Sequence, residues 1–263
     1  MEKPLLSEKK IILSQVLPLN LPISIMIDPC NLCNFRCNFC PTGNKDLLGS
    51  LKRPKGKMSL SLFKKIIDSI CEAKKTTKSS IKSLLLYKDG EPLLNKDLPE
   101  MIAYASEKKV SDYILVTTNG SLLDDNKILA LINSGLTSIR FSIQSLSQTG
   151  FEKVTKTKFN INTIKQNIKN FYEKKNKINQ KIEVIVSYVD AEKLPKHIIE
   201  KFIDEYSVIS DRVIINPVMG WTRSNLYDWR NGVERKVEDK DIEICPDPFS
   251  KIAANFDGSV SVC

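Results

Sequence analysis

Apolar residues along this chain follow two alternating patterns. Short runs rich in Ile, Val and Leu occur at 23–28, 81–87, 112–118, 138–143, 181–189 and 212–216. Each is the length of a strand, and each is apolar enough to be buried on both faces. Between them the apolar positions recur every three or four residues, the period of an amphipathic helix. Phe63, Ile66, Ile67, Ile70 and Cys71 make the first such stripe, with Ser59 placed to cap it. Residues 98–109 and 124–133 give the next two, the latter ended by Gly135. Ile161, Ile164, Ile168, Phe171 and Tyr172 make a longer one, and Leu194, Ile198, Ile199, Phe202, Ile203 and Tyr206 the last.

Six strand–helix units in tandem predict parallel strands joined by right-handed crossovers. The expected fold class is α/β, a partial (β/α)6 TIM-type barrel with a short irregular C-terminal extension. The rhythm divides the chain into an N-terminal extension at 1–22, a barrel at 23–216 and a remainder at 217–263. That remainder holds Trp221, Trp229, Cys245 and Cys263, and ends near a hairpin-like Asn-Phe-Asp-Gly turn at 255–258.

Composition narrows the classes. Hydrophobic residues are 41% and charged residues 27%, an ordinary globular balance. No run reaches the roughly eighteen apolar residues that span a bilayer. Pro18 and Pro22 interrupt the early apolar stretch, so no secretory signal is expected and the chain reads as cytoplasmic. The formal charge is +9. Lys64, Lys65, Lys165, Lys169, Lys174 and Lys175 lie along helical patterns, where a solvated face expects them. The charge is therefore read as surface chemistry, with nucleic acid the weaker alternative. His197 is the only histidine and stands at the start of an amphipathic helix, which counts against a Ser-His-Asp triad, a Cys-His pair or a multi-histidine metal centre.

Seven cysteines in a reducing compartment point to metal ligands or reactive thiols. Cys30, Cys33, Cys37 and Cys40 fall within eleven residues. A zinc ribbon needs its two Cys-x-x-Cys pairs further apart, whereas a compact run suits one face of an iron–sulfur cube. The bacterial ferredoxin spacing does not match.

The inner triplet, Cys33-x-x-x-Cys37-x-Phe39-Cys40, resembles the signature of the radical S-adenosylmethionine (radical SAM) superfamily. The resemblance implies a 4Fe–4S cluster on Cys33, Cys37 and Cys40, with one iron left open for S-adenosylmethionine. It also implies reductive cleavage to a 5′-deoxyadenosyl radical that takes hydrogen from a substrate. Cys30 lies outside the signature and is read as a non-ligand neighbour; Cys71 is read as core.

The other strand ends extend the resemblance. Asp89-Gly90-Glu91-Pro92 is similar to the family's Gly-Gly-Glu-Pro, with Glu91 an anionic acceptor for the methionine ammonium. Thr118-Asn119-Gly120 resembles Thr-Asn-Gly, and Ser142-Ile143-Gln144 resembles Ser-Ile-Asp. The implied cofactor-binding residues are Phe39, Gly90, Glu91, Asn119 and Ser142. The family's carboxylate-binding Arg has no match; only Lys153 and Lys156 stand near its place. Ser187, Tyr188, Asn216 and Met219 end the last strands and are expected to face a substrate that the sequence does not name. Cys245-Pro and the segment 252–263 resemble the opening of a SPASM domain without enough cysteines for an auxiliary cluster. Residues 219–224 resemble a segment of radical enzymes near surface-polysaccharide genes. The basic loop at 52–57 would suit an acidic electron donor such as flavodoxin or ferredoxin. Two rival readings are a metal-binding nucleic-acid module using all four clustered cysteines, and a folded but inactive remnant.

Overall fold

The computed structural model describes residues 12–43, 54–189, 194–216, 227–228, 233–234, 245 and 247–262. Six parallel strands form its frame: β1 (Ser24–Ile27), β2 (Ile81–Leu85), β3 (Ser111–Thr118), β4 (Ser138–Ile143), β5 (Glu183–Val189) and β6 (Arg212–Asn216). They pair in chain order, so each crossover returns to the next place along the sheet. Right-handed crossovers in an order that never reverses put every helix on one face. The sheet can then curl around the other face, as a partial barrel does.

The helices are α1 (Leu60–Thr77), α2 (Leu98–Glu107), α3 (Asp125–Ile132), α4 (Gln148–Thr155), α5 (Ile161–Ile178) and α6 (Lys196–Ser207). Ser59 caps α1 by accepting from the Leu62 N–H, and Asp124 caps α3 by accepting from Lys127. Helix α1 buries Phe63 and Ile67, the stripe read from the sequence, and Cys71 packs half-buried at its margin. Against these helices stand Ile25, Ile27, Leu84, Leu86, Ile114, Val116, Ile139, Phe141, Val184 and Val186, all buried.

Two features depart from the expected outline. Helix α4 interrupts the connection from β4 to α5, where the sequence pattern showed one helix only. The C-terminal segment also joins the sheet. After the short α7 (Asp247–Ser250), β9 (Lys251–Ala254) lies parallel to β1, and β10 (Val260–Ser261) folds back on it through the expected turn. A separate two-stranded hairpin pairs β7 (Tyr227–Asp228) with β8 (Val233–Glu234). Trp221, Trp229, Met219 and Cys263 lie outside the described residues. No described helix is long and apolar enough to cross a membrane.

Candidate active site at the strand ends

In a parallel α/β sheet the carboxyl ends of the strands are the natural place for a ligand. A cleft of about 270 Å³ opens there. Its lining includes Cys33, Cys37, Cys40, Phe39, Gly90, Glu91, Asn119 and Ser142, which are all of the site residues expected from the sequence. Thr117, Gln144 and Ser187 line it as well.

The cysteine loop leaves β1 and is held by backbone bonds. Arg36 N–H donates to Thr155 O and Asn38 N–H to Val154 O, so the C-terminal carbonyls of α4 clamp the segment between the cysteines. Phe35 seals this contact, meeting Phe151 edge-on at 5.4 Å. Cys40 N–H donates to Cys37 O at 3.1 Å, and Gly43 N–H to Cys40 O at 3.0 Å. Gly90 must lack a side chain: a Cβ there would sit 2.2 Å from Cys30 O and 2.4 Å from Leu32 O.

Glu91 is fully buried and acts as a strut between strand ends. Its Oε1 accepts from Thr118 Oγ1 at 2.6 Å and Leu93 N–H at 3.0 Å; its Oε2 accepts from Asn119 N–H at 2.8 Å. Burial raises its pKa, and the three donors oppose that rise. The sequence reading made Glu91 an ammonium acceptor; the geometry commits most of its capacity to the chain itself. Asn119 is likewise spent on position. Its Nδ2 donates to Asn34 Oδ1, and its Oδ1 accepts from Ser121 N–H and Oγ. Asn34 closes the ladder by donating to Ser121 Oγ at 2.8 Å.

Sequence reasoning missed several of these supports. Asn95 Nδ2 donates to Pro29 O and Met58 O, both at 2.9 Å, pinning the chain on each side of the cysteine loop. Asn31 bridges to Pro54 O and Gly56 N–H. Their one sequence signal was an unusual density of Asn near the cysteines.

Cys30 is buried, its backbone bridged to Lys57, and it is absent from the cleft lining. Tyr188 corrects an expectation. It is buried on the helix side with its ring 5.7 Å from that of Phe202, so it does not face the cleft. Strand alternation explains this, since Ser187 lines the cleft and the next residue must point away. Asn216 supports Ser187 by donating to its Oγ at 2.8 Å. Lys153 on α4 and Lys156 at its C-terminal cap are both exposed, and among the described residues no Lys or Arg lines the cleft. His197 is exposed, and Cys245 is an exposed free thiol.

The donor set fits an iron–sulfur cluster. Cys37 is buried and Cys33 half-buried, both without disulfide partners. Burial pushes the Cys33 thiol up to about 12 and Cys37 higher still, with neighbouring thiols adding to the effect. Such thiols become ligands only when a cationic centre draws off their protons. Among the described residues no three His, Cys, Asp or Glu side chains converge tightly enough for a single metal ion.

The sequence model of the radical SAM superfamily matches residues 27–198, most of the chain. The chain belongs to the radical SAM superfamily. Enzymes of that family use a 4Fe–4S cluster with S-adenosylmethionine. Over 142 residues the chain is 31% identical to a probable GTP 3′,8-cyclase of Methanococcus maripaludis, covering 54% of this chain and 42% of that protein. Over 117 residues it is 30% identical to an Fe-coproporphyrin III synthase of Methanosarcina barkeri, covering 44% and 26%. The chain thus spans less than half the length of these curated relatives. Among solved radical SAM structures, it resembles Streptococcus suis SuiB bound to its precursor peptide SuiA (TM-score 0.64, 15% identity, 95% of this chain and 61% of that one). It also resembles anSMEcpe with bound AdoMet and a peptide (TM-score 0.54, 14% identity, 76% and 52%). At these identities the likeness is one of fold.

Proposed function

We propose that this chain is the catalytic body of a radical SAM enzyme. Cys33, Cys37 and Cys40 would hold the 4Fe–4S cluster, and Phe39, Gly90, Glu91, Asn119 and Ser142 would form the S-adenosylmethionine site. The observation that carries this reading is the convergence of all eight residues on one cleft.

When bound, the cluster would supply one electron to the sulfonium S–C5′ bond of S-adenosylmethionine, giving the 5′-deoxyadenosyl radical. The protein's part is placement and exclusion of water. The thiolates of Cys33, Cys37 and Cys40 would hold the cluster and leave room for the cofactor beside it. Gly90 keeps the cleft wall open where a side chain would collide with the cysteine loop. Glu91 and Asn119 hold the ends of β2 and β3 against that loop. Ser142 contributes a hydroxyl and Phe39 an apolar ring to the cleft lining.

The substrate is a small molecule or peptide; sugars and peptides are the favoured classes, and nucleic acid is not. A flavodoxin- or ferredoxin-like protein would deliver the electron. An oxygen-labile cluster and free cysteines suit a cytoplasmic setting.

The test is 5′-deoxyadenosine formation by anaerobically reconstituted protein given dithionite and S-adenosylmethionine. Product should require the reductant and vanish in Cys37→Ala. A loaded cluster without product would favour the inactive remnant, and zinc in place of iron would overturn the assignment.

A further inference from the structure

Six buried side-chain polar atoms among the described residues have no hydrogen-bond partner: Asp28 Oδ1, Thr117 Oγ1, Arg140 Nε, Gln144 Oε1, Arg212 Nε and Asn255 Oδ1. Their shared location is informative. Strand register pairs Ser24 with Lys251 and Ser83, Ser83 with Tyr113, Thr117 with Arg140, and Arg140 with Ile185, itself opposite Arg212. Carrying the alternation one step past β1, β4 and β9 puts Asp28, Gln144 and Asn255 on that same face. All six therefore belong to the concave side, the side that bears the cleft residues Thr117, Ser142 and Ser187. The helix-packed side has none.

Native proteins pair their buried polar groups, and unpaired ones call for an explanation such as an absent ligand. Asp28 is the sharpest case. It is 1% exposed, and its neighbour Lys88 is already paired with Asp89 at 3.1 Å. Asn255 stands opposite it and uses only its Nδ2, on Ser259 Oγ. Both present an acceptor oxygen that asks for a donor. At the level of Thr117, Arg140 has its Nε unpaired, while Glu183 is spent on Arg212 at 3.2 Å. Gln144 adjoins Ser142 and is left to the cofactor.

Resting on the radical SAM reading, we propose that the concave face binds a hydroxyl-rich substrate carrying an acid group, a compound of the anionic-sugar class. Asp28 and Asn255 accept from its hydroxyls, Thr117 exchanges a hydrogen bond with it, and Arg140 receives the acid group. A guanidinium is the side chain best matched to a carboxylate or phosphate. An apolar side chain in the same place would leave all four groups unmatched.

The experiment is saturation-transfer NMR on anaerobically reconstituted protein, with and without S-adenosylmethionine. The probes are glucose 6-phosphate, glucuronate, methyl glucoside and N-acetyl-leucinamide at millimolar concentration. The two anionic sugars should bind, methyl glucoside roughly tenfold more weakly, and N-acetyl-leucinamide not at all. The tighter of the two acids tells phosphate from carboxylate. Arg140→Gln should erase the preference for charged over neutral sugar. Asn255→Leu and Asp28→Asn should weaken all three sugars, in protein whose iron content matches the parent and which is folded at the temperature and pH of the measurement. If Asp28→Asn does not fold, Asn255→Leu and Arg140→Gln carry the test. Binding of N-acetyl-leucinamide as tight as the sugars, an intact charge preference in Arg140→Gln, or no binding by any probe overturns the proposal. A failure to cleave S-adenosylmethionine would instead count against the parent reading, since sugar binding is measured without turnover.

Discussion

The two faces of the sheet obey different rules. The helix-packed face is Ile, Leu, Val and Phe, close-packed against α1 to α6, and its polar atoms are paired. The concave face carries Ser, Thr, Asp, Asn, Arg and Gln, and it holds every unpaired buried atom of the described chain. Stability is thus concentrated on one side and chemistry on the other, a few ångströms apart through the same backbone. Substitutions should separate accordingly.

The largest effect is expected within the cysteine loop. Cys37→Ala should lose the cluster and all 5′-deoxyadenosine formation, whereas Cys30→Ser should keep iron and activity; iron analysis with product assay checks both. On the helix-packed side, Phe63→Ala opens a cavity where a fully buried ring stood and should cost about 3–5 kcal/mol in denaturant unfolding. Per folded molecule, cofactor cleavage should hardly change. If the cleavage rate collapses as well, the two faces are not independent.

Asp28 gives an intermediate effect with a definite pH window. Burial, aided by Asp89, raises its pKa from 3.8 to about 6. The native state therefore binds the proton more tightly than the unfolded chain, so stability is fullest below the unfolded value and declines as pH rises from about 4 to about 6. The decline should total up to about 3 kcal/mol. Asp28→Asn should flatten the melting temperature across that window; an unchanged slope would show that another group titrates there. The smallest effect belongs to the solvent edge of the helix layer. Ser59→Ala removes the α1 cap and should cost about 1 kcal/mol, with no change in cluster content.

The six barrel strands were legible because each is a compact apolar run, and residue alternation within them is strict. The cleft was legible because its residues are short motifs at strand ends, where topology makes distant positions neighbours. Helix α4 was not, since its two turns offer little beyond Phe151 and Val154 as a stripe and contain Gly150. The pairing of β9 with β1 was hidden for another reason: a four-residue strand more than two hundred positions away leaves no periodic trace. The strut-like part played by Glu91 was hidden because residue type reveals charge but not burial. Only the fold shows that Thr118, Asn119 and Leu93 take up most of the carboxylate's capacity. Tyr188 failed for want of one alternation step.

The junction between β9 and β1 also bears on how the molecule is made. Strand β1, from which the cysteine loop springs, is flanked by β2 on one side as soon as the first helix has folded back. Its other flank stays bare until Lys251–Ala254 has left the ribosome. Contacts of such long sequence separation form late, and an unpaired strand edge is open to wrong partners meanwhile. Iron delivered during synthesis would meet a loop rooted in a half-supported strand. Maturation of the cluster is therefore expected to follow completion of the sheet, as a post-translational step.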